Sequence, residues 1–153
     1  MTHLRYRRLV SVSALYDLVV TLPFATPFTA RATLDLVATL HARLGLPGEA
    51  PPAFATTHVF FATLFGTVVV LWSIFRLRHP RPEVGLFDGI GRVVFVAWMA
   101  WALASGASRL LFAFVVPEAC FGAAQLIGYA TLMASAVSSE RRAMPASSVH
   151  AHR

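Results

Sequence analysis

The chain of 153 residues is long enough for one compact unit. Hydrophobic residues make up 57% of it and charged residues 13%, whereas soluble domains carry about 25% charged residues, so the composition is that of a membrane protein. The formal net charge is +6, but the thirteen basic residues, all arginine, fall in short groups between apolar runs, which argues against nucleic-acid binding. The single cysteine excludes an intramolecular disulfide and a CxxC redox pair.

Four segments have the roughly 20 mainly apolar residues that a membrane helix needs. The predicted spans cover residues 9–30, 53–75, 85–108 and 110–136. They predict an all-α fold, an integral membrane four-helix bundle, as one transmembrane domain over residues 1–137. Residues 138–153 are polar and interrupted by proline, so they are predicted to form a cytoplasmic tail.

The arginines that flank the predicted spans are distributed unequally between the two sides of the membrane. Nine lie on one side: Arg5, Arg7, Arg8, Arg76, Arg78, Arg81, Arg141, Arg142 and Arg153. Three lie on the other: Arg31, Arg43 and Arg109. The positive-inside rule then predicts a multi-pass protein with both termini in the cytoplasm. Use of arginine alone is typical of a GC-rich bacterial genome, so the predicted location is the inner (cytoplasmic) membrane of a bacterium.

The N-terminal segment also has features of a secretory signal. The sequence RYRRLVSVSALYDLVV is followed by TARA, with an Ala-x-Ala site at Ala30–Ala32. However, Asp17 interrupts the apolar region, and that region is longer than the roughly 7–15 apolar residues of a signal. An uncleaved first span is therefore predicted, and cleavage is the alternative.

The long connection at residues 31–52 predicts a short amphipathic surface helix between spans one and two. Its apolar residues recur at helical spacing, and Gly45 and Pro47 supply a stop signal. The stripe consists of Leu36, Val37, Leu40 and Leu44. We expect this helix to cap the bundle, and the alternative is a lid over a pocket.

Ionisable residues inside spans cost several kcal/mol or more and usually face the bundle interior or water. Asp17 and Glu118 each lie nine residues beyond a flanking arginine, about 13 Å deep and near the midplane. Arg92 is shallower but long enough to reach Asp17, and Asp88 lies one turn from Arg92. These three residues, Asp17, Asp88 and Arg92, are predicted to form a structural ion pair network that ties span one to span three. Anion binding or proton transfer is the alternative.

No comparable cation is expected beside Glu118, which predicts a protonated carboxyl group or one in a water-filled cavity. Glu118, Gln125 and Tyr129 share one helix face, which we expect to point into the bundle. The candidate ligand or proton site comprises Asp17, Arg92, Glu118, Gln125, Tyr129 and His58. No catalytic residue, metal site or cofactor is predicted; haem between spans normally needs two facing histidines, and only His58 lies in one.

This layout of a cytoplasmic N-terminus, four spans and sparse polar groups inside them resembles the small bacterial DoxX-like membrane proteins over residues 9–136. The resemblance implies a four-helix membrane protein that serves as a subunit of a membrane complex.

The residues themselves predict a small non-enzymatic protein that binds an apolar ligand or a partner subunit through a polar intramembrane pocket. The alternatives are a proton-coupled transporter or channel subunit in which Glu118 titrates, and a membrane enzyme acting on a lipid or quinone. The predicted partners are the lipid bilayer and a membrane partner subunit or a second copy of the chain.

Overall fold

The computed structural model describes the backbone of residues 1–143 and the side chains of residues 1–139. Within these residues the secondary structure is helical, with no strand. The five α-helices are α1 (His3–Thr21), α2 (Pro27–Leu44), α3 (Thr56–Arg78), α4 (Pro82–Ala104) and α5 (Phe112–Ala143). All but α2 belong to segments that are long and apolar enough to cross a membrane. The predicted tail begins inside α5, and residues 144–153 lie outside the described residues.

Span one ends earlier than the predicted residue 30. Helix α1 stops at Thr21, a 3-10 turn covers Leu22–Ala25, and α2 begins at Pro27. A proline at the first position of a helix lacks only an N–H that would have no helical partner, so Pro27 starts a new helix readily. The extended backbone of Thr26 separates the two helices, and its side chain accepts a hydrogen bond from the Thr29 N–H at 3.2 Å. The surface helix is therefore longer than predicted, at 18 residues.

Helix α2 does not bury its predicted apolar stripe against the bundle. Only Ala30 and His41 are buried, whereas Leu36 and Leu44 are exposed. The helix ends at Gly45, whose φ of 56° is left-handed and suits glycine. His41 anchors the helix, because its Nδ1 lies 2.7 Å from the Ser108 hydroxyl in the connection between α4 and α5.

The four long helices alternate in direction, which defines two ends of the bundle. At the terminal end, Arg7 of α1 lies beside the connection between α3 and α4 around His79. At the loop end, the connection from α2 to α3 joins that from α4 to α5. There the Glu49 N–H donates to the Gly106 carbonyl at 2.7 Å, and the Arg109 N–H donates to the Pro47 carbonyl at 3.0 Å.

The long helices pack as two pairs, α1 with α3 and α4 with α5. Glycines at the contacts let backbones come close. A Cβ added at Gly66 of α3 would lie 2.5 Å from the Phe24 Cβ and 2.6 Å from its carbonyl oxygen. A Cβ added at Gly122 of α5 would lie 3.1 Å from the Arg92 Cβ of α4.

The interior is more polar than the exterior. Among the described side chains, nine polar or charged residues are buried against six hydrophobic ones, the reverse of a water-soluble core. The outer faces carry large apolar side chains such as Val19, Phe65 and Trp101, which are 65–70% exposed. Polar contacts inside the bundle therefore take the place of an apolar core.

We expect Gly66→Ala to destabilise the fold by about 1–3 kcal/mol, because the new methyl group would overlap the backbone of Phe24. Gly91→Ala in α4 is the matched control, since a Cβ there meets nothing within 4 Å. Thermal unfolding of both purified variants in a mild detergent measures the difference. Equal midpoints for the two variants would contradict the described contact between α3 and the turn after α1.

Candidate functional site: a charged cluster bordering an apolar cavity

Two arginines and three carboxylates form a buried cluster inside the bundle. Arg76 of α3 is fully buried and donates through Nη2 to Asp17 of α1 and through Nη1 to Asp88 of α4, the latter at 2.5 Å. Its Nη2 also donates to the Ser73 hydroxyl at 3.2 Å. Arg76 thus connects three of the four long helices.

Arg92 of α4 uses all three of its guanidinium nitrogens. Nη2 donates to Asp17 at 2.5 Å, Nε to Asp88 at 3.1 Å, and Nη1 to Glu118 of α5 at 2.8 Å. The structure therefore has both contacts of the predicted network, Asp17–Arg92 and Arg92–Asp88. Arg92 links α1 and α5 to its own helix, so the two arginines together join all four long helices.

The assignment of Arg76 to a cytoplasmic flank was wrong. Helix α3 continues to Arg78, and the Arg76 side chain turns into the bundle. The direction of Cβ bonds explains this, because each tilts toward the N-terminus of its helix. In the antiparallel α1 and α3, Asp17 therefore leans toward the terminal end and Arg76 leans away from it, so the two side chains meet.

The expectation that Glu118 lacks a cation was also wrong. Its Oε2 accepts from Arg92, and its side chain is 15% exposed. The close packing of α4 on α5 at Gly122 brings the Arg92 stem against α5, one turn from Glu118. Depth and spacing along single helices did not reveal that Arg92 lies this close to Glu118.

Neutral donors complete the cluster. The Trp72 indole donates to Asp88 Oδ1 at 3.0 Å, and the Gln125 amide donates to Asp88 Oδ2 at 2.8 Å and to the Ser13 hydroxyl at 2.9 Å. Sequence reasoning did not include Trp72, Ser73 or Arg76 in the site. The spacing of Trp72 and Arg76, which places them on one helix face, was the signal that could have suggested them.

A cavity of about 590 Å³ lies beside the cluster, lined by α1, α3, α4 and α5. The cluster residues bound it on the side of the terminal end. From there its wall extends toward the loop end, through Phe24 in the turn after α1, Phe95 and Trp98 of α4, and Phe114 of α5. On α4 the lining extends from Phe87 to Met99, a rise of about 18 Å. The space has one charged boundary and otherwise apolar walls.

The predicted site residues divide into two sets. Asp17, Arg92, Glu118 and Gln125 come together in the cluster. His58 lies apart, exposed at the start of α3, where its Nδ1 accepts from the Ala55 N–H at 3.3 Å. Tyr129 lies near the terminal end with its ring 6.4 Å from that of Tyr6.

Neither His58 nor Tyr129 lines the cavity, and no residue of α2, which is fully described, lines it either. The alternative of a lid over this cavity therefore has no support, and the predicted cap leaves Leu36 and Leu44 exposed.

Comparison with protein-family models, with curated proteins and with solved structures gave no match. The resemblance to DoxX-like proteins therefore stays a prediction from layout.

We expect Arg76→Leu to destabilise the protein by about 3–5 kcal/mol, since it leaves two buried carboxylates short of a partner. Arg78→Leu, two residues later and exposed, should change stability by less than about 0.5 kcal/mol. The measurement is the stability of the two variants against unfolding in detergent. If both variants unfold like the unaltered chain, Arg76 is an interfacial residue and not a member of the cluster.

Proposed function

We propose that this protein spans a membrane and binds a small amphiphile, without catalysis, in the cavity beside the charged cluster. The cavity is the observation that carries the proposal. Its volume of about 590 Å³ is within the roughly 300–1,000 Å³ of typical ligand sites. Mostly apolar walls with a few convergent polar groups are also typical of such sites.

The distribution of side chains supports the membrane placement. Large apolar residues face outward along the four long helices, and the charged residues inside them are paired. In water this surface would be an extensive apolar patch, whereas in lipid it is solvated by acyl chains. The exposed apolar stripe of α2 fits a helix lying at the membrane interface.

The proposed orientation has both termini in the cytoplasm of a bacterium, in its inner membrane. Removal of the buried Arg76 from the nine arginines on that side leaves eight, against three on the opposite side. The asymmetry on which the positive-inside rule depends therefore persists.

Two features favour binding over a path across the membrane. The cavity borders the cluster and is not lined beyond it toward the terminal end. In that direction Tyr6, Val10 and Gln125 are fully buried and fill the bundle. Transport coupled to protons needs a continuous water path, so the blind cavity supports a binding role.

The size of the cavity favours a small molecule over a partner helix as its occupant. A helix with side chains is about 10–12 Å across, so a volume of about 590 Å³ would admit only part of one. A partner subunit or a second copy of the chain could contact the outer apolar faces without entering the cavity.

Gly91→Phe should abolish binding, because Gly91 lines the cavity and a Cβ there meets nothing within 4 Å, so the ring can occupy the ligand space. Ala97→Phe is the matched control, since Ala97 is exposed on the same helix and does not line the cavity. The measurement is the thermal stabilisation produced by dodecyl amphiphiles in neutral detergent. A ligand at about 100 times its Kd adds about 2.7 kcal/mol.

The unaltered chain and Ala97→Phe should be stabilised by at least one dodecyl compound, and Gly91→Phe by none. Partition of the compounds into micelles affects all three proteins equally. Equal responses of the three proteins to every compound would refute binding in this cavity.

A further inference from the structure

We infer that the amphiphile held in the cavity is a cation, a lipophilic amine or ammonium whose charged head sits at the cluster and whose apolar part extends toward the loop end. This inference rests on the proposed binding function and names the chemical class of the ligand. Three observations support it: the unused hydrogen-bonding atoms, the charge balance of the cluster, and the chemistry of the cavity wall.

Two carboxylate oxygens of residues that line the cavity have no hydrogen-bond partner among the described residues. Asp17 receives both of its hydrogen bonds from arginines on Oδ2, and Glu118 receives its bond on Oε2. Among the described residues, Asp17 Oδ1 and Glu118 Oε1 accept no hydrogen bond, and neither atom is fully buried. Both side chains line the cavity, at 11% and 15% exposure. Two carboxylate oxygens are therefore available to accept hydrogen bonds from a ligand head.

The nitrogen donors at the cavity, by contrast, each have a carboxylate partner. Three of the five N–H groups of Arg92, one on each guanidinium nitrogen, donate to carboxylates, and the Trp72 indole donates to Asp88. Tyr16 also lines the cavity, but a phenol both donates and accepts and so does not discriminate between heads. A head that only accepts hydrogen bonds, such as a quinone carbonyl or a carboxylate, would leave Asp17 Oδ1 and Glu118 Oε1 without a donor.

The charge balance of the cluster also favours a cationic ligand. With every group ionised, three carboxylates against two guanidinium groups leave the cluster a formal charge of −1. An uncompensated charge is unfavourable in surroundings of low dielectric constant. A monocation brings the total to zero, whereas an anion raises it to −2. The cluster is therefore complementary to one positive charge.

The wall of the cavity suits such a ligand. The aromatic rings of Phe87 and Phe95 line it next to the cluster, and that of Trp98 lines it farther along α4. Aromatic faces attract cations, and their apolar surface accommodates an alkyl or aryl group. A lipophilic cation satisfies both ends of the cavity at once.

The experiment uses four probes with the same dodecyl tail in neutral maltoside micelles at a mildly alkaline pH. Dodecylamine is a cation with N–H donors, dodecyltrimethylammonium a cation without them, dodecanol neutral, and dodecanoate an anion. Apparent affinities come from the thermal stabilisation of the unaltered chain, with Gly91→Phe as the blank. We expect dodecylamine to bind at least about tenfold more tightly than dodecanoate, with dodecyltrimethylammonium and dodecanol between them.

Glu118→Gln tests the origin of the preference. It removes one negative charge at the cavity while Arg92 keeps Asp17 and Asp88 as partners, so the bundle should still fold. The ratio of the apparent affinity for dodecylamine to that for dodecanoate should fall about tenfold. Glu49→Gln is the matched control, because it makes the same change at an exposed position away from this cavity and should leave the ratio unchanged.

The outcomes separate this inference from the proposed function. If all four probes bind equally to the unaltered chain and none binds to Gly91→Phe, the cavity is a ligand site but the preference for cations is refuted. Tighter binding of dodecanoate, or an unchanged ratio in Glu118→Gln, overturns the inference as well. If no probe distinguishes the unaltered chain from Gly91→Phe, the proposed function itself fails. The four probes on the unaltered chain test the preference for cations even if Glu118→Gln does not fold.

Discussion

Two guanidinium groups hold three carboxylates from three helices inside a bundle whose outer surface is apolar. Any one of these ions alone would be costly in such surroundings, by several kcal/mol, so each depends on the others being in place. Arg76 and Arg92 both contact Asp17 and Asp88, and Arg92 adds Glu118. The relative positions of α1, α3, α4 and α5 are thereby coupled, because displacing one helix leaves charges on the others without partners.

The same network explains why the bundle contains a cavity. Helices α1 and α3 form one close pair and α4 and α5 another, with Gly89 and Gly122 at the contact of α4 with α5. Between α3 and α4, long side chains make the connection, namely Arg76 and Trp72 reaching Asp88. Such side chains span a wider gap than glycine contacts do, so space remains beside the cluster. The charged network and the cavity beside it are thus two consequences of one arrangement.

Sequence reasoning was most successful where depth or spacing within one helix decided the outcome. Asp17, Asp88 and Arg92 were expected to meet from their depth and from the one-turn spacing of the last two, and the structure has their contacts. Reasoning failed for Arg76, whose position near the end of an apolar run matched a flanking arginine. It also missed the cation beside Glu118, because the approach of Arg92 depends on how closely α4 and α5 pack.

The sequence by itself determined that the chain forms helices, approximately where α3 and α4 begin and end, and how many segments are long and apolar enough to cross a membrane. These properties depend on local features, such as the length of apolar runs, the prolines that start α2 and α4, and the left-handed Gly45 that ends α2. Only the tertiary structure decided which charges pair, which oxygens of Asp17 and Glu118 stay free, and where a cavity remains. Pairing depends on distances between helices and on the directions of side chains from antiparallel backbones, which spacing along one helix does not specify.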